Sequence, residues 1–318
     1  MKQSSRALAQ TWGYPRHQNF VKQVRTAATT WFQSQNMQVD SRYPYILTEW
    51  AAWPQNIILA EVAEYIEHVS DSQREQGLNF PLHKYIHHGL SSQAMLFNLT
   101  GPLLVRNDLQ PLRNVIERKG LKWPDGDSRA MFEYEDRTIF NEDRGQPTSI
   151  DMVILNSQNQ PKIFIESKFV EQEFGGCSLF GAGDCDGQNP ASNMNMCYLH
   201  HIGRKYWSLM KEYGFDDGPV GKDALCILAN HYQFFREVLF ALEHQGIFIL
   251  LCDKRSPVFY TDGPQGPRGV MPLLTGLLPE RLRPFISYVT VQELVDEIDA
   301  SGSHEWIGEF KKKYGLLP

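Results

Sequence analysis

The chain has 318 residues, of which 42% are hydrophobic and 21% are charged, and its net charge at pH 7 is −6. This composition is that of a globular protein, and no apolar run approaches the roughly 20 residues of a membrane helix. The N-terminus lacks the apolar core of a signal peptide, and five cysteines in a chain of this size indicate reduced thiols, so we expect a cytoplasmic protein. The negative charge does not favour nucleic-acid binding, but it does not exclude it, because binding depends on local fields.

The first part of the chain predicts helices. One helix is expected from Asn19 to Gln35, and a second is expected to start near Trp53–Pro54. The polar, glycine-containing stretch Ser70–Asn79 should end the second helix. Apolar residues of this second helix recur at helical spacing, at Ile58, Val62 and Ile66. We interpret residues 1–80 as a helical N-terminal extension that packs against the rest of the chain.

A further helix should begin after Ser91 or Ser92, either of which can cap it, and Gly101–Pro102 should stop or kink it. Gln93 is a polar residue near the start of this otherwise apolar helix. From the local sequence alone, the simplest interpretation of Gln93 is a packing amide whose hydrogen bonds are satisfied.

Three histidines, His83, His87 and His88, precede that helix. His83 and His87 have the i, i+4 spacing of two zinc ligands on one helix face, but no acid or cysteine accompanies them at a standard ligand spacing. We therefore expect local structural roles for these histidines, or phosphate contacts at the mouth of a cleft.

The stretch Ala130–Asp136 predicts the first strand of a core sheet. Strand alternation would put Phe132 and Tyr134 on one face and the two acids, Glu133 and Glu135, on the other. Either acid would reach a site on the following strands if that face looks toward them. The alternative is an edge strand with a charged outer face, which is a common defence against aggregation.

A β-hairpin is predicted next, because the apolar runs Ile150–Leu155 and Ile163–Phe169 flank a polar connection. Asp151 interrupts the first run. Glu166 and Lys168 share one face of the second run, because side chains alternate along a strand. The hairpin can place Asp151 beside Glu166, so that two carboxylates and an ammonium group converge on an apolar sheet face.

Burying such charges costs several kcal/mol per ion unless they are paired or bind a metal. Asp151, Glu166 and the backbone carbonyl of Ser167 are hard oxygen ligands of the kind that Mg²⁺ prefers, and Mn²⁺ is the alternative ion. Lys168 would then position the attacking water and stabilise charge developing on phosphorus. The set suits metal-assisted phosphodiester hydrolysis. The alternative is a surface hairpin with an ordinary Glu–Lys ion pair.

Beyond the hairpin, a long glycine-rich segment precedes predicted helices at Met196–Tyr213 and Asp223–His244. The apolar run Ile247–Asp253 predicts a buried parallel strand, which a right-handed crossover would reach. The last element, Ile286–Ile298, predicts a short strand that runs into a helix. The order is therefore helix, three strands, helices, a strand, and a final strand followed by a helix.

The glycine-rich segment contains Cys177 and Cys185, and Cys197 and His200 follow it. These four side chains are a candidate zinc site. The cysteines are separated by seven and eleven residues and lack the paired CxxC spacing of most zinc sites. Reduced, packed thiols are therefore the default interpretation, and zinc is the alternative.

The pattern Asp151…Glu166-Ser167-Lys168 resembles the motif of the PD-(D/E)XK nuclease superfamily, with Ile150 in place of the proline. More narrowly, the segments LHKYIHHGLSSQAMLFNL, FEYED, SIDMVIL and FIESKF resemble a bacterial branch of restriction-endonuclease-like proteins. The resemblance implies an α/β (α+β) fold with a restriction-endonuclease-like αβββαβ core over residues 81–318, in which helices flank a mixed sheet.

The resemblance also implies a function and two more site residues. Glu133 matches the acid that the family carries on this strand and would help to bind the metal. Gln93 lies where many nucleases place an acid on the first helix, and it would hold a metal-bound water or a phosphate. The expected activity is that of a Mg²⁺-dependent endodeoxyribonuclease in restriction, phage defence or DNA processing.

Several choices stay open at this point. RNA is the alternative substrate. A homodimer would cut both strands with one site per chain, and proteins encoded in a defence operon are candidate partners. The alternative function is a catalytically silent nuclease-fold subunit that binds DNA or a protein partner.

Overall fold

The computed structural model describes residues 15–75, 77, 80–143 and 145–317. Within these residues a five-stranded mixed sheet has its strands in chain order. The strands are β1 (Arg129–Glu135), β2 (Ser149–Leu155), β3 (Pro161–Lys168), β4 (Ile247–Cys252) and β5 (Ile286–Thr290). β1, β2 and β3 pair antiparallel, whereas β3, β4 and β5 pair parallel. The predicted hairpin and the predicted parallel strand at Ile247 are confirmed.

The helices are distributed before, within and after the sheet. The longer ones are α1 (Arg16–Ser34), α2 (Ala60–Glu75), α3 (Ser92–Val105), α4 (Gln110–Arg118), α5 (Tyr206–Glu212), α6 (Leu228–Glu243), α7 (Val270–Leu277), α8 (Val291–Ser301) and α9 (Ile307–Tyr314). Single helical turns lie at Arg137–Phe140, Ser178–Gly181, Tyr198–His201 and Pro219–Lys222, and 3₁₀ helices at Trp50–Asn56, Pro190–Ser192, Met194–Met196 and Glu280–Phe285. In the described part of the chain, no helix is long and apolar enough to cross a membrane.

Helices cover both faces of the sheet. Alternation along β2 sends Met152 and Ile154 to one face, where they join an apolar cluster with residues of α1, α2, α3, α4, α8 and α9. Val153 and Leu155 point to the other face, where α5, α6 and α7 pack. The near-continuous apolar sequence of β4 is explained by this arrangement, because both of its faces are buried. The predicted fold class, a mixed sheet flanked by helices with helices at the N-terminus, is confirmed.

The N-terminal helices contribute to the same apolar cluster as the sheet. Phe20 and Val24 of α1 and Ile66 of α2 belong to it. Helix α2 continues to Glu75, beyond the end expected at Ser70. The division of the chain at residue 80 stays a prediction.

Helix α3 is buried all round, since every residue from Gln93 to Leu103 is buried. Its N-cap is Ser91, whose Oγ accepts a hydrogen bond from the Ala94 amide at 3.2 Å, as predicted. Gly101–Pro102 does not stop the helix, which continues to Val105 with Pro102 inside it. Gly101 serves close packing, because a Cβ there would stand 2.5 Å from Cγ1 of Val62 on α2.

Two predicted helices have different bounds in the structure. The helix expected at Met196–Tyr213 is two separate segments, Tyr198–His201 and α5, and Gly203 between them has a φ of +87°. A residue in the left-handed conformation ends an α-helix. The apolar residues keep their helical spacing across Gly203, so the hydrophobic pattern did not reveal this interruption. The helix expected from Asp223 starts only at Leu228.

Strand β1 contains a backbone irregularity at Glu133. This residue has a φ of +54°, which is uncommon for a residue other than glycine. As a result the alternation shifts: Phe132 packs on the α3 side of the sheet, and Tyr134 packs on the α6 side. The prediction that Phe132 and Tyr134 share a face was therefore wrong. Strained backbone of this kind is often found at functional sites.

Candidate active site

The two acids of the hairpin meet at one end of β2 and β3. Met152 pairs with Ile165, and continuing this register by one residue sets Asp151 opposite Glu166. The backbone N–H of Ser167 donates to Oδ2 of Asp151 at 2.8 Å and holds its carboxylate. The structure therefore brings Asp151 to the ESK tripeptide, as the sequence pattern predicted.

Lys168 lies beside Glu166 in a buried ion pair. Its Nζ donates to Oε1 of Glu166 at 2.7 Å and to Oε1 of Gln233 at 3.0 Å. Nε2 of Gln233 donates to the same Glu166 oxygen at 2.6 Å. Glu166 is 3% exposed and Lys168 8%. The pair is therefore not the exposed ion pair of a surface hairpin.

Glu133 and Gln93 also reach this end of the sheet and contact each other. Nε2 of Gln93 donates to Oε1 of Glu133 at 2.6 Å, and the hydroxyl of Ser149 donates to Oε2 at 2.8 Å. Gln93 also binds the preceding loop, donating to the Pro81 carbonyl at 2.9 Å and accepting from the His83 amide at 2.8 Å. Glu133 is buried, so it does not form the charged outer face of an edge strand.

Carboxylates outnumber cations here, and their pKa values reflect this. Desolvation, followed by the charge of Glu166, raises the pKa of Asp151 well above its ordinary value. Desolvation also raises the pKa of Glu133 to about 8, although its hydrogen bonds from Gln93 and Ser149 oppose the rise. Desolvation alone would lower the pKa of Lys168, but nearby carboxylates, Glu166 first, raise it above its ordinary value. Burial is therefore the main cause of the raised carboxyl pKa values, and the charges of neighbouring carboxylates add to it.

Two residues of α6 that the strand pattern does not reveal also belong to the site. Gln233 contacts both Glu166 and Lys168, and its Nε2 also donates to Oε1 of Glu237 at 2.8 Å. Desolvation and the charge of Glu166 raise the pKa of Glu237, which is fully buried. A signal for them exists: the i, i+4 spacing puts both on one helix face, and Glu237 interrupts an apolar run.

A cavity of about 560 Å³ opens over these residues. Ser91, the N-cap of α3, and the first two residues of this helix, Ser92 and Gln93, form part of its wall, and Arg236 of α6 also lines it. His83 and His88 also line it. Residues 83–88 are not helical, so the helical zinc pair suggested by the spacing of His83 and His87 does not form. Desolvation lowers the pKa of His83, and it lowers that of His88 to about 4, so both rings are neutral at pH 7.

Residues 25–315 match the model of a protein family described as "Restriction Endonuclease associating with ARP". The chain belongs to this family. The match includes every site residue named above, and it supports a restriction-endonuclease-like protein with nuclease-like function. Comparison with curated proteins and with solved structures found no match.

The donor set of this family member fits a hard divalent cation. Oδ1 of Asp151 and Oε2 of Glu166 accept no hydrogen bond from the residues that the structure describes. Together with the Ser167 carbonyl they match Mg²⁺, which is usually bound through one or two carboxylates and several waters. Over the described ranges, no group of three or more His, Cys, Asp or Glu side chains is arranged so that it could hold a metal ion. Water or phosphate oxygens would therefore complete the coordination shell.

The predicted zinc ligands lie elsewhere, in the segment between β3 and α6. Cys177, Cys185 and Cys197 line a second cavity, and Cys226, which the sequence analysis did not consider, lines it with them. His200 is not among the residues that line this cavity. The side chains that share the cavity are therefore four cysteines rather than three cysteines and a histidine.

Proposed function

We propose that this family member is a metal-dependent nuclease of the PD-(D/E)XK type that hydrolyses phosphodiester bonds in DNA. The observation that carries the proposal is the meeting of Asp151 and Glu166 with Lys168 at the ends of two neighbouring strands, under an open cavity. Family membership supports the nuclease class. The metal, the substrate and the catalytic roles are inferred from the chemistry of these side chains.

Asp151, Glu166 and the Ser167 carbonyl would hold Mg²⁺ or Mn²⁺. Once bound, the ion would polarise the phosphate and lower the pKa of a coordinated water. The protein fixes the two carboxylate ligands in place, because the Ser167 amide holds Asp151 and Gln233 holds Glu166. The excess of carboxylates gives the site its affinity for a doubly charged ion.

Lys168 would act as a positively charged hydrogen-bond donor. The surrounding carboxylates hold its pKa above the ordinary value, so it is protonated at neutral pH and is not a general base. Its contacts with Glu166 and Gln233 fix the ammonium group at the floor of the cavity. From there it would orient the attacking water and stabilise the charge that develops on the phosphate oxygens.

Glu133 and Gln93 support the site from β1 and α3. Both oxygens of Glu133 accept hydrogen bonds, so a role as metal ligand would require its side chain to exchange one of them for the ion. Gln93 is a positioning residue that ties Glu133 to the loop at Pro81. The N-terminus of α3 at the cavity wall would favour a phosphate group through the helix dipole.

The proposed substrate is DNA, because the family is described by restriction endonucleases. The site provides phosphate-binding chemistry that RNA would share, so an RNA substrate is a separate arm of the test. With one site per chain, cutting both strands favours a homodimer. The proposed role is restriction, phage defence or DNA processing in the cytoplasm.

A cleavage assay with a metal-ligand variant tests the proposal. Supercoiled DNA, linear DNA and single-stranded RNA are incubated with the purified chain and Mg²⁺ or Mn²⁺, with and without EDTA. We expect DNA cleavage that EDTA abolishes and that Asp151→Asn abolishes with the fold intact. Glu173→Gln, which removes an exposed acid shortly after the same hairpin, should cleave like the parent chain. Cleavage by Asp151→Asn at the parent rate would refute the proposed role of Asp151 as a metal ligand.

A second candidate is a catalytically silent subunit that binds a partner protein or DNA. The family description refers to association with a component called ARP. Large apolar side chains are exposed in the segment between β3 and α6, namely Phe180, Met196, Tyr198, Ile202 and Leu225. Tight binding of DNA or protein without metal, together with no cleavage under any of the conditions above, would favour this candidate.

A further inference from the structure

Four of the five cysteines of this chain line one cavity of about 410 Å³. They are Cys177, Cys185, Cys197 and Cys226. Each is half-buried and free, whereas the fifth, Cys252, is buried within β4. The four come from separate parts of a segment of about fifty residues, so the fold of that segment brings them together.

Backbone hydrogen bonds hold three of these cysteines in neighbouring stretches of chain. The Cys177 amide bonds to the carbonyls of Leu228 and Ala229, both at 3.1 Å, just after Cys226. The Cys226 amide bonds to the Gly187 carbonyl at 2.7 Å, two residues after Cys185. A β-bridge between Gln188 and Leu225 continues that contact.

Glycine permits the closest of these approaches. A Cβ at Gly176 would stand 2.4 Å from the Ala229 carbonyl oxygen, which leaves no room for any larger residue beside Cys177. Gly187 has a φ of +76° in the turn that follows Cys185. Both glycines are therefore required where the chain segments that carry the cysteines meet.

Backbone amides point at three of the sulfur atoms. The Gly187 amide donates to Sγ of Cys185 at 3.4 Å. The backbone amides two and three residues after Cys197 and Cys226 favour the thiolate and lower the pKa of these thiols, against the larger effect of burial; they belong to His200, Leu199, Leu228 and Ala229. Donors of this kind stabilise a thiolate, which is the form in which cysteine binds metals.

Cys197 and Cys226 are not activated nucleophiles. Desolvation raises the pKa of Cys197 and raises that of Cys226 to about 11, so both are protonated at neutral pH in the absence of a ligand. Catalytic and redox-active cysteines have the opposite shift. Four soft sulfur ligands around one small space are instead the donor set of a tetrahedral metal site.

We propose that Cys177, Cys185, Cys197 and Cys226 form a structural zinc site. The described thiols are not arranged to hold a metal as they stand, so binding requires rotation of their side chains toward the cavity centre. Cys226 takes the fourth position for which the sequence pattern suggested His200. The proposal is independent of the proposed nuclease chemistry, because none of its ligands lies at the carboxylate site.

Zinc at this position would order the chain next to the carboxylate site. The Gly175 carbonyl, two residues before Cys177, accepts a hydrogen bond from the Gln233 amide at 2.9 Å, and Gln233 contacts Glu166 and Lys168. A metal bound by both Cys177 and Cys226 would therefore restrain the chain next to Gly175 and Gln233, and so the contacts of Gln233 with Glu166 and Lys168.

Elemental analysis of the purified full-length chain tests the proposal, before and after incubation with Zn²⁺ and removal of the excess. We expect about one tightly bound zinc ion per chain. Cys226→Ser and Cys185→Ser should reduce the zinc content about tenfold or more, since each removes a ligand. The matched controls are Cys252→Ser and His200→Ala, which should keep the zinc of the parent chain.

A second measurement uses the parent chain, so it tests the proposal even if the variants fail to fold. The parent chain with Co²⁺ in place of zinc should show the visible absorption of tetrahedral thiolate-bound cobalt. Titration with a mercurial that blocks thiols should release the metal as four cysteines react. Zinc-free protein that takes up none, zinc retained in Cys226→Ser, or zinc lost in His200→Ala would overturn the proposal. Stoichiometric iron with acid-labile sulfide would overturn the choice of zinc.

Discussion

Among the residues that the structure describes, two lysines, Lys168 and Lys313, are almost fully buried, and their surroundings are opposite. Lys168 lies among carboxylates, which raise its pKa above the ordinary value. Lys313, on α9, donates to the backbone oxygen of Asn56 and to its Oδ1 at 2.7 Å, and lies 4.3 Å from the centre of the Trp31 ring. Its partners are neutral, and desolvation lowers its pKa well below the ordinary value.

The two lysines show that burial alone does not indicate a functional role. Equal burial leads to a stable ammonium group in one place and favours a neutral amine in the other, depending on the neighbouring charges. Only the first arrangement gathers charges of both signs under an open cavity. It therefore suits a polar reaction, whereas the hydrogen bonds of Lys313 join α9 to the Asn56 segment.

The largest expected effect distinguishes the two lysines by activity. Lys168→Met should lower the cleavage rate about 10²- to 10⁴-fold, because it removes a positive charge from the proposed site of phosphate hydrolysis. Lys313→Met should keep the parent rate per folded molecule. Cleavage of supercoiled DNA, with circular dichroism to check the fold, provides the measurement. Equal losses in both variants would mean that Lys168 has only a structural role.

The pH dependence of stability should also separate them. Lys313 has a folded-state pKa below its unfolded value of about 10.5, so between these two values the unfolded chain binds more protons. Stability from this residue therefore rises with pH in that window, by up to about 1.4 kcal/mol per pH unit. Urea unfolding of the parent chain and of Lys313→Met between pH 7 and 10 would measure the difference. A parallel dependence in both proteins would contradict it.

A moderate effect is expected from Gln233, whose amide restrains Lys168. Gln233→Met removes the hydrogen bonds to Glu166, Lys168 and Glu237, and it should reduce cleavage about 10- to 100-fold while raising the Mg²⁺ requirement. The matched control is Gln292→Met on α8, which lies outside the cavity and should keep parent activity. An unchanged Mg²⁺ titration would refute the positioning role of Gln233.

The smallest effect is expected from Glu133, a buried acid whose charge should alter the pH dependence of stability. The pKa of Glu133 rises from 4.5 to about 8 on folding, so its contribution to stability is present at low pH and is lost as pH rises through about 8. In EDTA, Glu133→Gln should be more stable than the parent chain at pH 8, by about 1 kcal/mol or more, and the advantage should vanish near pH 4. Denaturant unfolding at both pH values measures it; an advantage that persists at low pH would contradict the assigned cause.

The central site was predictable because its geometry is local. Asp151, Glu166 and Lys168 lie on two consecutive strands, and side-chain alternation with a tight turn is enough to place them together. The apolar sequence around them signalled burial. The parallel strand β4 was predictable for a related reason, since an unbroken apolar run of that length suits a strand covered on both faces.

The rest of the site depends on contacts between distant segments and on single backbone angles. Gln233 reaches Lys168 across sixty-five residues of sequence, and Cys226 reaches Cys185 through one β-bridge, which no spacing rule could reveal. The left-handed conformations of Glu133 and Gly203 reversed one strand face and divided one helix. Neither was visible in the hydrophobic pattern, because pattern rules assume regular backbone throughout.

The buried helix α3 ties both ends of the chain to the proposed catalytic centre. Gly101 packs on α2, Asn98 donates to the Tyr314 hydroxyl of α9 at 2.9 Å, and Gln93 contacts Glu133 at the helix start. A shortened chain lacking either α2 or α9 would expose this helix to water and loosen the residue that anchors Glu133. Trimming at the termini, far from the carboxylates in sequence, should therefore weaken hydrolysis as well as stability.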